Sequence, residues 1–365
     1  MVKRPVVDPT SPWPDLDKRE GFDVVEAAAI TPLAAGFHMP PEWARHAGCL
    51  MAWPSREELW QGRLEDAKRD YATVAGSIAG FEPVLMVCNP GRAGDVRAHC
   101  SASVTPLEIP INASWARDSG PAFVRNDRGD VAVVGFGFNA WGNRWHPYDD
   151  DALLSRRLAE LFGLQFFKAP LVLEGGSFFV DGEGTVIATE QCLLNPNRNP
   201  TLTRQQIEQR LHEHLGTTTV VWLPFGHSTD TGPAGTDGHV DGVAQFAGPA
   251  HVMLEVASNP DSPEFERGEQ NLARLRDARD AAGRHFNITI LDPGPAATVS
   301  YANHYLANAA VIVPVGGNDA DGAALATLAA LYPDREIVAV PGETIAFGGG
   351  GPHCITQQIP EGVAL

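Results

Sequence analysis

The segment DGHVDGVAQFAGPAHVMLEV (237–256) contains the pattern that decides the fold. It begins with a short polar motif and continues with two apolar runs that are separated by a turn containing glycine and proline. Short apolar runs bounded by turn residues are typical of β-strands joined in a hairpin. The segment therefore predicts a polar motif followed by a strand, a turn and a second strand.

The same order of motif, strand, turn and strand recurs three more times along the chain. The other copies begin with SWARDSGP (114–121), LEGG (173–176) and SYANHY (300–305). The residues that mark the four motifs are 56, 65 and 64 residues apart: Asp118, Glu174, His239 and Asn303. This spacing fits one strand–strand–helix–strand unit, so about five units would fill the chain and place every motif loop at one end.

Amphipathic helices are predicted between these hairpins. Apolar residues at three- and four-residue spacing run from Leu64 to Ile78, after a capping-box pattern at 55–58. Further apolar stripes predict helices at 153–162, 207–215, 262–278 and 322–331, and apolar runs predict strands at 83–88, 219–223 and 337–340. This alternation of strands and helices indicates an α/β fold.

The composition restricts the class of protein. The 365 residues are 44% hydrophobic, which is enough for a packed core and excludes wholesale disorder. Lys and Arg number 27 against 45 Asp and Glu, a formal net charge of −18. Nucleic acid and anionic membrane surfaces are therefore not expected partners. The acidity fits a small cationic substrate, although solubility alone also explains it.

Cysteine spacing and the N-terminal sequence predict the compartment. The five cysteines are widely spaced without a CxxC pattern, so neither structural zinc nor a disulfide framework is expected. The first residues lack the apolar segment of a signal peptide, and no run of about 18 apolar residues occurs. We predict a cytoplasmic protein with reduced thiols.

Residues 1–35 are rich in proline and predict a partly ordered N-terminal arm before one domain at 36–365.

One cysteine lies in a distinctive setting. In IAFGGGGPHCITQQ (345–358), four glycines and a proline precede His353-Cys354, so the backbone can approach a ligand and present the thiol at a strand start. A cysteine beside polar and cationic groups can be a thiolate nucleophile. The alternative interpretation of Cys354 is a small buried hydrophobic residue. Cys88 and Cys192 lie in apolar runs and are predicted to belong to the core.

His239 and Asp241 are candidates for acid–base chemistry. In an extended backbone both side chains would lie on one face, and an imidazole near a thiol suits proton transfer at neutral pH. A surface histidine is one alternative. A metal-binding pair is another, but no second cluster supplies a third ligand convincingly.

Trp115, Asp118 and Glu174 are further polar or aromatic candidates. Trp115 and Asp118 share a tight turn with Arg117, where a structural Arg–Asp pair packed under the indole is the alternative interpretation. Glu174 places a carboxylate at a strand end where no neighbouring side chain shields it. Neither motif is specific when it is taken alone.

Taken together, the motifs resemble the agmatine deiminase family, which is related to the bacterial peptidylarginine deiminases within the guanidino-group-modifying superfamily. The resemblance extends from about residue 36 over nearly the whole remaining chain. It is carried by GFHMPPEW (36–43), MAWPSREELW (51–60), SWARDSGP (114–121), LEGGSFFVDGEGT (173–185), CLLNPNRNP (192–200), WLPFG (222–226), DGHVDG (237–242), SYANHY (300–305), PDREIVAVP (333–341) and HCITQQIP (353–360). It implies a five-bladed α/β propeller, the pentein fold, of ββαβ units, with 36–365 as the catalytic domain.

The resemblance also implies a reaction and a role for six residues. The reaction is hydrolytic deimination of agmatine to N-carbamoylputrescine and ammonia through a covalent thiouronium, without metal or organic cofactor. The implied roles are Cys354 as nucleophile, His239 as general acid and base, Asp118 and Asp241 as guanidinium ligands, Glu174 beside the histidine, and Trp115 in the pocket wall.

Three features differ from the usual family pattern. The residues around Trp115 differ from the common Asp-Ser-Trp-Met-Arg-Asp-Thr-Gly-Pro, Gly242 replaces the asparagine after GHVD, and loop 227–237 is richer in Gly and Pro than the usual acidic stretch. These differences concern the groups that bind the distal end of the substrate.

Several alternatives stay open at the level of sequence. They are deimination of peptide arginine or of another small guanidine, amidino transfer, and guanidine binding without catalysis. Free arginine would need a cation such as Arg117 or Arg198 for its carboxylate. A homo-oligomer is compatible with the sequence, which specifies no oligomeric state.

Overall fold

The computed structural model of the chain describes residues 24–25, 30–232, 235–295 and 297–365. Strands in these ranges are β1 (Val24–Val25), β2 (Phe37–His38), β3 (His46–Ala52), β4 (Val84–Cys88), β5 (Val104–Glu108), β6 (Ala122–Asn126), β7 (Val131–Gly137), β8 (Gln165–Val172), β9 (Phe178–Val180), β10 (Thr185–Thr189), β11 (Thr219–Leu223), β12 (Ala244–Gly248), β13 (His251–Glu255), β14 (Asn287–Leu291), β15 (Tyr305–Ala307), β16 (Ala310–Val315), β17 (Glu336–Pro341) and β18 (Thr356–Pro360). Helices are α1 (Glu57–Trp60), α2 (Leu64–Ile78), α3 (Ala93–His99), α4 (Ala116–Ser119), α5 (Ala140–Asn143), α6 (Asp149–Phe162), α7 (Glu190–Leu193), α8 (Arg204–Leu215), α9 (Pro263–Asp277), α10 (Asp321–Leu331) and α11 (Glu343–Phe347).

Five sheets repeat one arrangement, in which the first two strands are antiparallel and the third is parallel to the second. In one sheet, β12 pairs antiparallel with β13, which pairs parallel with β14. A helix, here α9, connects the second strand to the third. The same order occurs in β6–β7–β8, β9–β10–β11 and β15–β16–β17. The predicted strand–strand–helix–strand unit is therefore confirmed.

The two ends of the chain complete the fifth unit. Strand β18 pairs antiparallel with β3, opposing Gln358 to Cys49, and β3 pairs parallel with β4 after α2. The C-terminal strand thus supplies the first position of a unit whose other strands come from the N-terminal part of the domain. This pairing closes the five-bladed α/β propeller.

Strand β4 is buried on both faces of its sheet, and its alternating side chains pack into two different cores. In β4, Val84, Met86 and Cys88 pack in the same core as Tyr71 of α2. The intervening Leu85 and Val87 pack with strands β6 and β7 in a second core. Strands of this kind appear as continuous apolar runs in the sequence, which is why they were detectable there.

The predicted helices are present, with one correction at a helix start. Ser262 caps α9 by accepting a hydrogen bond from the backbone N–H of Glu264. The prediction of a capping box at 55–58 was wrong, because Arg56 is the N-cap residue of α1 and its side chain makes no capping hydrogen bond. The hydroxyl of Ser55 instead accepts a hydrogen bond from Asn89 Nδ2.

The predicted N-terminal arm falls mainly outside the described residues. Within them, Val24–Val25 pairs parallel with β8, and the backbone N–H of Leu33 donates to the carbonyl of Glu213 in α8. Among the described residues, no helix has both the length and the apolar character needed to cross a bilayer.

A short helical turn precedes the first strand of four units, and these turns lie against one another. They are α4 and the 3-10 turns at 175–177, 240–242 and 301–303, while the turn at 351–355 precedes β18. The backbone N–H of Arg117 donates to the carbonyl of Cys354, and Asn303 Nδ2 donates to the carbonyl of Asp241. The polar motifs therefore meet at one end of the propeller, as predicted.

Candidate active site

All six residues predicted for the site converge on one cavity of about 550 Å³. Five of them line it, and the carboxylate of Glu174 lies behind the imidazole of His239: the lining residues are Trp115, Asp118, His239, Asp241 and Cys354. Their catalytic roles stay predictions, since a position alone assigns no role.

Gly176 lies where three of these side chains meet. A Cβ at this position would lie 2.7 Å from Asp241 Oδ2, 2.7 Å from His239 Nδ1 and 2.9 Å from Asp118 Oδ1. No side chain fits there, so the glycine of the Glu-Gly-Gly motif permits the three polar groups to approach one another. Its backbone N–H also donates to Asp118 Oδ1 at 3.0 Å.

The thiol of Cys354 lies between a carboxylate and an amide. Its Sγ–H donates to Asp241 Oδ2 at 3.2 Å, and Asn303 Nδ2 donates to Sγ at 3.1 Å. Burial, followed by the charges of Asp241 and Asp118, raises the pKa of this thiol well above its ordinary value. The group is therefore a neutral thiol in the unliganded protein, and a nearby cation would favour its ionisation.

The carboxylate of Asp241 is ionised and held in place by His353. Nδ1 of His353 lies 2.9 Å from Asp241 Oδ2, and its Nε2 lies 3.0 Å from Glu42 Oε1. Burial alone would raise the pKa of Asp241, but the histidine contacts outweigh it and hold the pKa below its usual range. Burial and Arg117 oppose protonation of His353, yet the two carboxylates raise its pKa.

Asp118 is oriented by an indole. Trp141 Nε1 donates to Asp118 Oδ2 at 2.8 Å. Trp141 and its neighbour Ala140 have φ of 56° and 52°, in the left-handed region that costs free energy for non-glycine residues. Burial raises the pKa of Asp118, and Asp241 adds to the shift while His239 opposes it.

His239 lies between two carboxylates. Its Nδ1 is 3.7 Å from Asp118 Oδ1, and its Nε2 is 3.9 Å from Glu174 Oε2. Burial alone would lower the pKa of His239, but Asp118, the sulfur of Cys192 and Glu174 raise it well above its ordinary value. The extended backbone predicted for this motif was wrong, since Val240–Gly242 form a 3-10 turn that brings Asp241 into the same site.

Glu174 is not an unshielded carboxylate, contrary to the sequence prediction. It is fully buried, and Arg198 Nε donates to its Oε1 at 2.6 Å. Arg198 also donates to Asp237 Oδ2 at 2.7 Å, so Asp237 is paired as well. Burial would raise the pKa of Glu174, but the contacts with His239 and Arg198 lower it.

Cys192 is buried as predicted, but it also belongs to the surroundings of the site. Its sulfur donates to the carbonyl of Thr236 at 3.5 Å. The sulfur of Cys192, a carboxylate oxygen of Glu174 and a ring nitrogen of His239 lie within 4.8 Å of one another. The apolar residues around Cys192 in the sequence predicted only a core position, whereas its thiol lies beside His239, the candidate acid–base residue.

The outer half of the cavity carries a second group of charges, close to loop 227–237. His227 lies 3.4 Å from Glu255 Oε1 and 3.3 Å from Glu264 Oε1, and these contacts raise its pKa well above the ordinary value against the effect of burial. Burial raises the pKa of Asp230 to about 6, despite the opposing charge of His227. Three carboxylates surrounding one imidazolium leave this region with net negative charge.

The described lining residues of the cavity include five carboxylates and no Arg or Lys: Asp118, Asp230, Asp241, Glu255 and Glu264. Trp115, Trp141 and Trp145 supply aromatic walls. Arg117 and Arg198, the two cations considered from the sequence, are buried in ion pairs with Glu42 and Glu174 instead. The cavity is thus suited to a positively charged ligand.

The sequence did not reveal the supporting role of three residues that hold the site together, although Arg198 was considered there for a different role. Glu42 and Arg198 lie inside motifs that carried the family resemblance, GFHMPPEW and CLLNPNRNP, so those motifs contained a usable signal. Trp141 follows Asn139-Ala140 in an irregular turn, and no pattern in the sequence pointed to it.

Comparison with known proteins places the chain in a family. The family model of Porphyromonas-type peptidyl-arginine deiminase matches residues 38–360. The agmatine deiminase of Pseudomonas putida is 38% identical over 361 residues, covering 90% of this chain and 97% of that protein. The solved agmatine deiminase of Enterococcus faecalis gives a TM-score of 0.87 at 34% identity, covering 93% of this chain and 100% of that chain.

A substrate-bound agmatine deiminase of C. jejuni gives a TM-score of 0.81 at 25% identity, covering 90% of this chain and 97% of that chain. These matches extend over nearly the full length of both partners, and strands β3 to β18, the motif turns and the cavity lie within the range matched by the family model. The chain therefore belongs to the Porphyromonas-type peptidyl-arginine deiminase family and has its five-bladed α/β propeller, the pentein fold.

Proposed function

We propose that the protein hydrolyses agmatine to N-carbamoylputrescine and ammonia. The observation that carries this proposal is a buried thiol in contact with the carboxylate of Asp241, in a cavity whose described lining holds further carboxylates and no Arg or Lys. Agmatine carries a guanidinium at one end and an ammonium at the other. A cavity with negative charge at both its inner and outer ends fits such a dication.

The guanidinium binds between Asp118 and Asp241. Its planar N–H groups pair with carboxylates in a bidentate manner. Trp115 and Trp141 flank the cation, since aromatic faces attract cations. Two ionised carboxylates offset the cost of removing the cation from water. This arrangement presents the central carbon to the sulfur of Cys354.

Substrate binding activates the nucleophile. In the free protein the thiol donates to Asp241, and the guanidinium takes over this carboxylate when it binds. The thiol proton is released to solvent, and the nearby cation stabilises the thiolate. Asn303 Nδ2 donates to the sulfur and supports its negative charge. The thiolate attacks the guanidinium carbon and forms a tetrahedral adduct.

His239 then serves both halves of the reaction. Its Nδ1, which faces Asp118 and the cavity, donates a proton to the departing nitrogen, and ammonia leaves. The remaining thiouronium is attacked by water, whose proton returns to His239. Cleavage of the C–S bond regenerates Cys354 and releases the ureido product. Glu174 keeps the imidazole oriented and favours its charged form.

Assay of four guanidines tests the proposal. Purified protein is incubated with agmatine, free arginine, an arginine-containing peptide and guanidinobutyrate, and both ammonia and ureido product are measured. We expect kcat/KM for agmatine to exceed the others. Arginine and guanidinobutyrate would place a carboxylate against the acidic lining, and the peptide would place an uncharged backbone where agmatine has its ammonium. The name of the matching family points to peptide arginine as the substrate. Equal or faster turnover of the peptide would therefore overturn the proposal that agmatine is the substrate.

We also infer a reducing compartment, the cytoplasm. All five cysteines are free thiols, and the proposed nucleophile must be reduced to react.

A further inference from the structure

Glu174, Cys192 and His239 form a buried cluster behind the substrate cavity. A carboxylate oxygen, the thiol sulfur and an imidazole nitrogen lie within 4.8 Å of one another. The three residues come from three separate segments: Glu174 precedes the turn at 175–177, Cys192 lies in α7, and His239 precedes the turn at 240–242. The fold therefore brings together a set of metal-binding side chains that no single motif contains.

Polar atoms of this cluster lack hydrogen bonds. Within the described part of the chain, Oε2 of Glu174 and both ring nitrogens of His239 are buried without a hydrogen-bond partner. The sulfur of Cys192 contacts the carbonyl of Thr236 at 3.5 Å and also interacts with the imidazole of His239. Buried polar atoms in proteins nearly always have a hydrogen-bond partner. Three that lack one, grouped in one place, are therefore available to bind a ligand.

We propose that Glu174, Cys192 and His239 form an inhibitory site for a thiophilic divalent cation such as Zn²⁺. Thiolate, imidazole and carboxylate are the ligand types that zinc binds, and water completes a tetrahedral shell. Ideal zinc bonds place neighbouring ligand atoms about 3.3–3.6 Å apart. The side chains therefore close by about 1 Å on binding, which small rotations about their side-chain bonds achieve. Mg²⁺ and Ca²⁺, which prefer oxygen ligands, do not bind.

The surroundings of the cluster suit a dication. Cys192 releases its proton on binding. The thiolate and the Glu174 carboxylate together offset two positive charges, while Asp237 balances the charge of Arg198. Arg198 Nε donates to Oε1 of Glu174 and leaves Oε2 available to the metal. Thr236 both lines the cavity and contacts the sulfur of Cys192, so the ion enters past Thr236.

Metal binding blocks the acid–base residue, a consequence that rests on the proposed function. Nε2 of His239 faces Glu174, whereas Nδ1 faces Asp118 and the cavity. With a metal on Nε2, the neutral ring keeps its proton on Nδ1 and cannot accept another from water. The guanidinium ligands are unaffected. The metal therefore lowers kcat much more than it raises KM.

Metal binding is tested without turnover. Co²⁺ is titrated into the protein and thiolate-to-metal charge transfer is followed by near-ultraviolet absorption, while Zn²⁺ affinity is measured by calorimetry. We expect one equivalent of metal to bind to the wild type. In Cys192→Ser the charge-transfer band should be lost and Zn²⁺ should bind at least about 100-fold more weakly. Even the loss of a residue that only contacts a metal ligand lowers metal affinity by about 10–100-fold. Cys354→Ser and the control Cys100→Ser keep the band and the affinity.

The opposite pattern, with the band lost in Cys354→Ser and kept in Cys192→Ser, would overturn the proposal. Glu174→Gln provides a second variant and is expected to weaken Zn²⁺ binding as well; unchanged affinity in it contradicts the site. Because neither readout requires catalysis, this result is independent of whether agmatine is the substrate.

Inhibition is tested separately with agmatine. We expect Zn²⁺ to inhibit the wild-type enzyme non-competitively and a chelator to reverse the effect, whereas Cys192→Ser keeps its own metal-free rate at the same free Zn²⁺. Competitive inhibition, or the same fractional inhibition in Cys192→Ser, would place the metal on Cys354 and disprove the inhibitory role.

Discussion

Nδ1 of His353 lies 2.9 Å from Oδ2 of Asp241, so the residue before the proposed nucleophile holds one of the proposed guanidinium ligands. The other ring nitrogen lies 3.0 Å from Glu42 Oε1, which also accepts from Arg117 at 2.8 Å. A row of alternating charges thus leads from the buried arginine to the cavity. The row keeps Asp241 ionised and oriented before any substrate arrives.

Glu42→Gln is expected to destabilise the protein. Breaking this buried ion pair leaves Arg117 without its carboxylate partner and leaves His353 paired only with Asp241, which costs about 3–5 kcal/mol of unfolding free energy at pH 7. The charges of Arg117 and His353 lower the pKa of Glu42 to about 2 in spite of burial. A depressed pKa stabilises the fold above the unfolded value, and this contribution is lost as pH falls towards 2.

Urea unfolding of the wild type and Glu42→Gln at pH 7 and pH 3 measures this effect. The difference between them should shrink at pH 3. The exposed Glu269→Gln serves as a control and should change the unfolding free energy little. Equal stability of Glu42→Gln and the wild type at pH 7 contradicts a structural role for the pair.

Cys354→Ala is expected to abolish turnover while the protein stays folded, because no other group supplies the attacking sulfur. Ammonia release from agmatine measures activity, and mass spectrometry of the quenched wild-type enzyme locates the covalent adduct. Cys100→Ala, at a position that does not line the cavity, should keep full activity. Residual activity in Cys354→Ala, or an adduct on another cysteine, would disprove the assignment.

Asp118→Asn and Asp241→Asn are each expected to lower kcat/KM for agmatine by at least about 100-fold. Each change removes a charged partner from a buried cation, and about 3 kcal/mol of transition-state stabilisation corresponds to that factor. The exposed Asp334→Asn is the control. Unchanged kcat/KM in either variant would make that carboxylate purely structural.

Glu174→Gln is expected to lower kcat and to move the alkaline limb of the pH–rate profile to lower pH. The carboxylate helps to raise the pKa of His239, so its removal lets the imidazole lose its proton at lower pH. The limb is a property of the coupled thiol and imidazole, so only its direction of movement is expected. If kcat and the profile both stay unchanged, Glu174 has no part in the reaction.

Asp230 is expected to bind the distal ammonium of agmatine in a pH-dependent manner. Its pKa of about 6 means that the carboxylate is protonated below pH 6 and loses its attraction for the cation. KM for agmatine should therefore rise as pH falls through 6, and Asp230→Asn should show a several-fold higher KM without that rise. Butylguanidine, which lacks the ammonium, is the control substrate. The same pH dependence of KM for both substrates would exclude Asp230 from this contact.

The sequence by itself determined the repeated unit and the residues at its motif loops. Local signals were sufficient, because strand alternation, turn glycines and helix periodicity act over a few residues, as in 237–256 and in α2. The family motifs then led to Cys354, His239, Asp118 and Asp241, which line one cavity, and to Glu174 behind the imidazole of His239.

Only the tertiary structure decided which side chains hold those residues in place and which of them are ionised. Glu42 and His353 are 311 positions apart, and Glu174 and Arg198 are 24 apart, so neither pairing follows from a local pattern. Cys192 has an apolar sequence context typical of the core, yet the fold places its sulfur beside His239. The protonation state of each group depends on burial and on charges from other segments, and these act through space rather than along the chain.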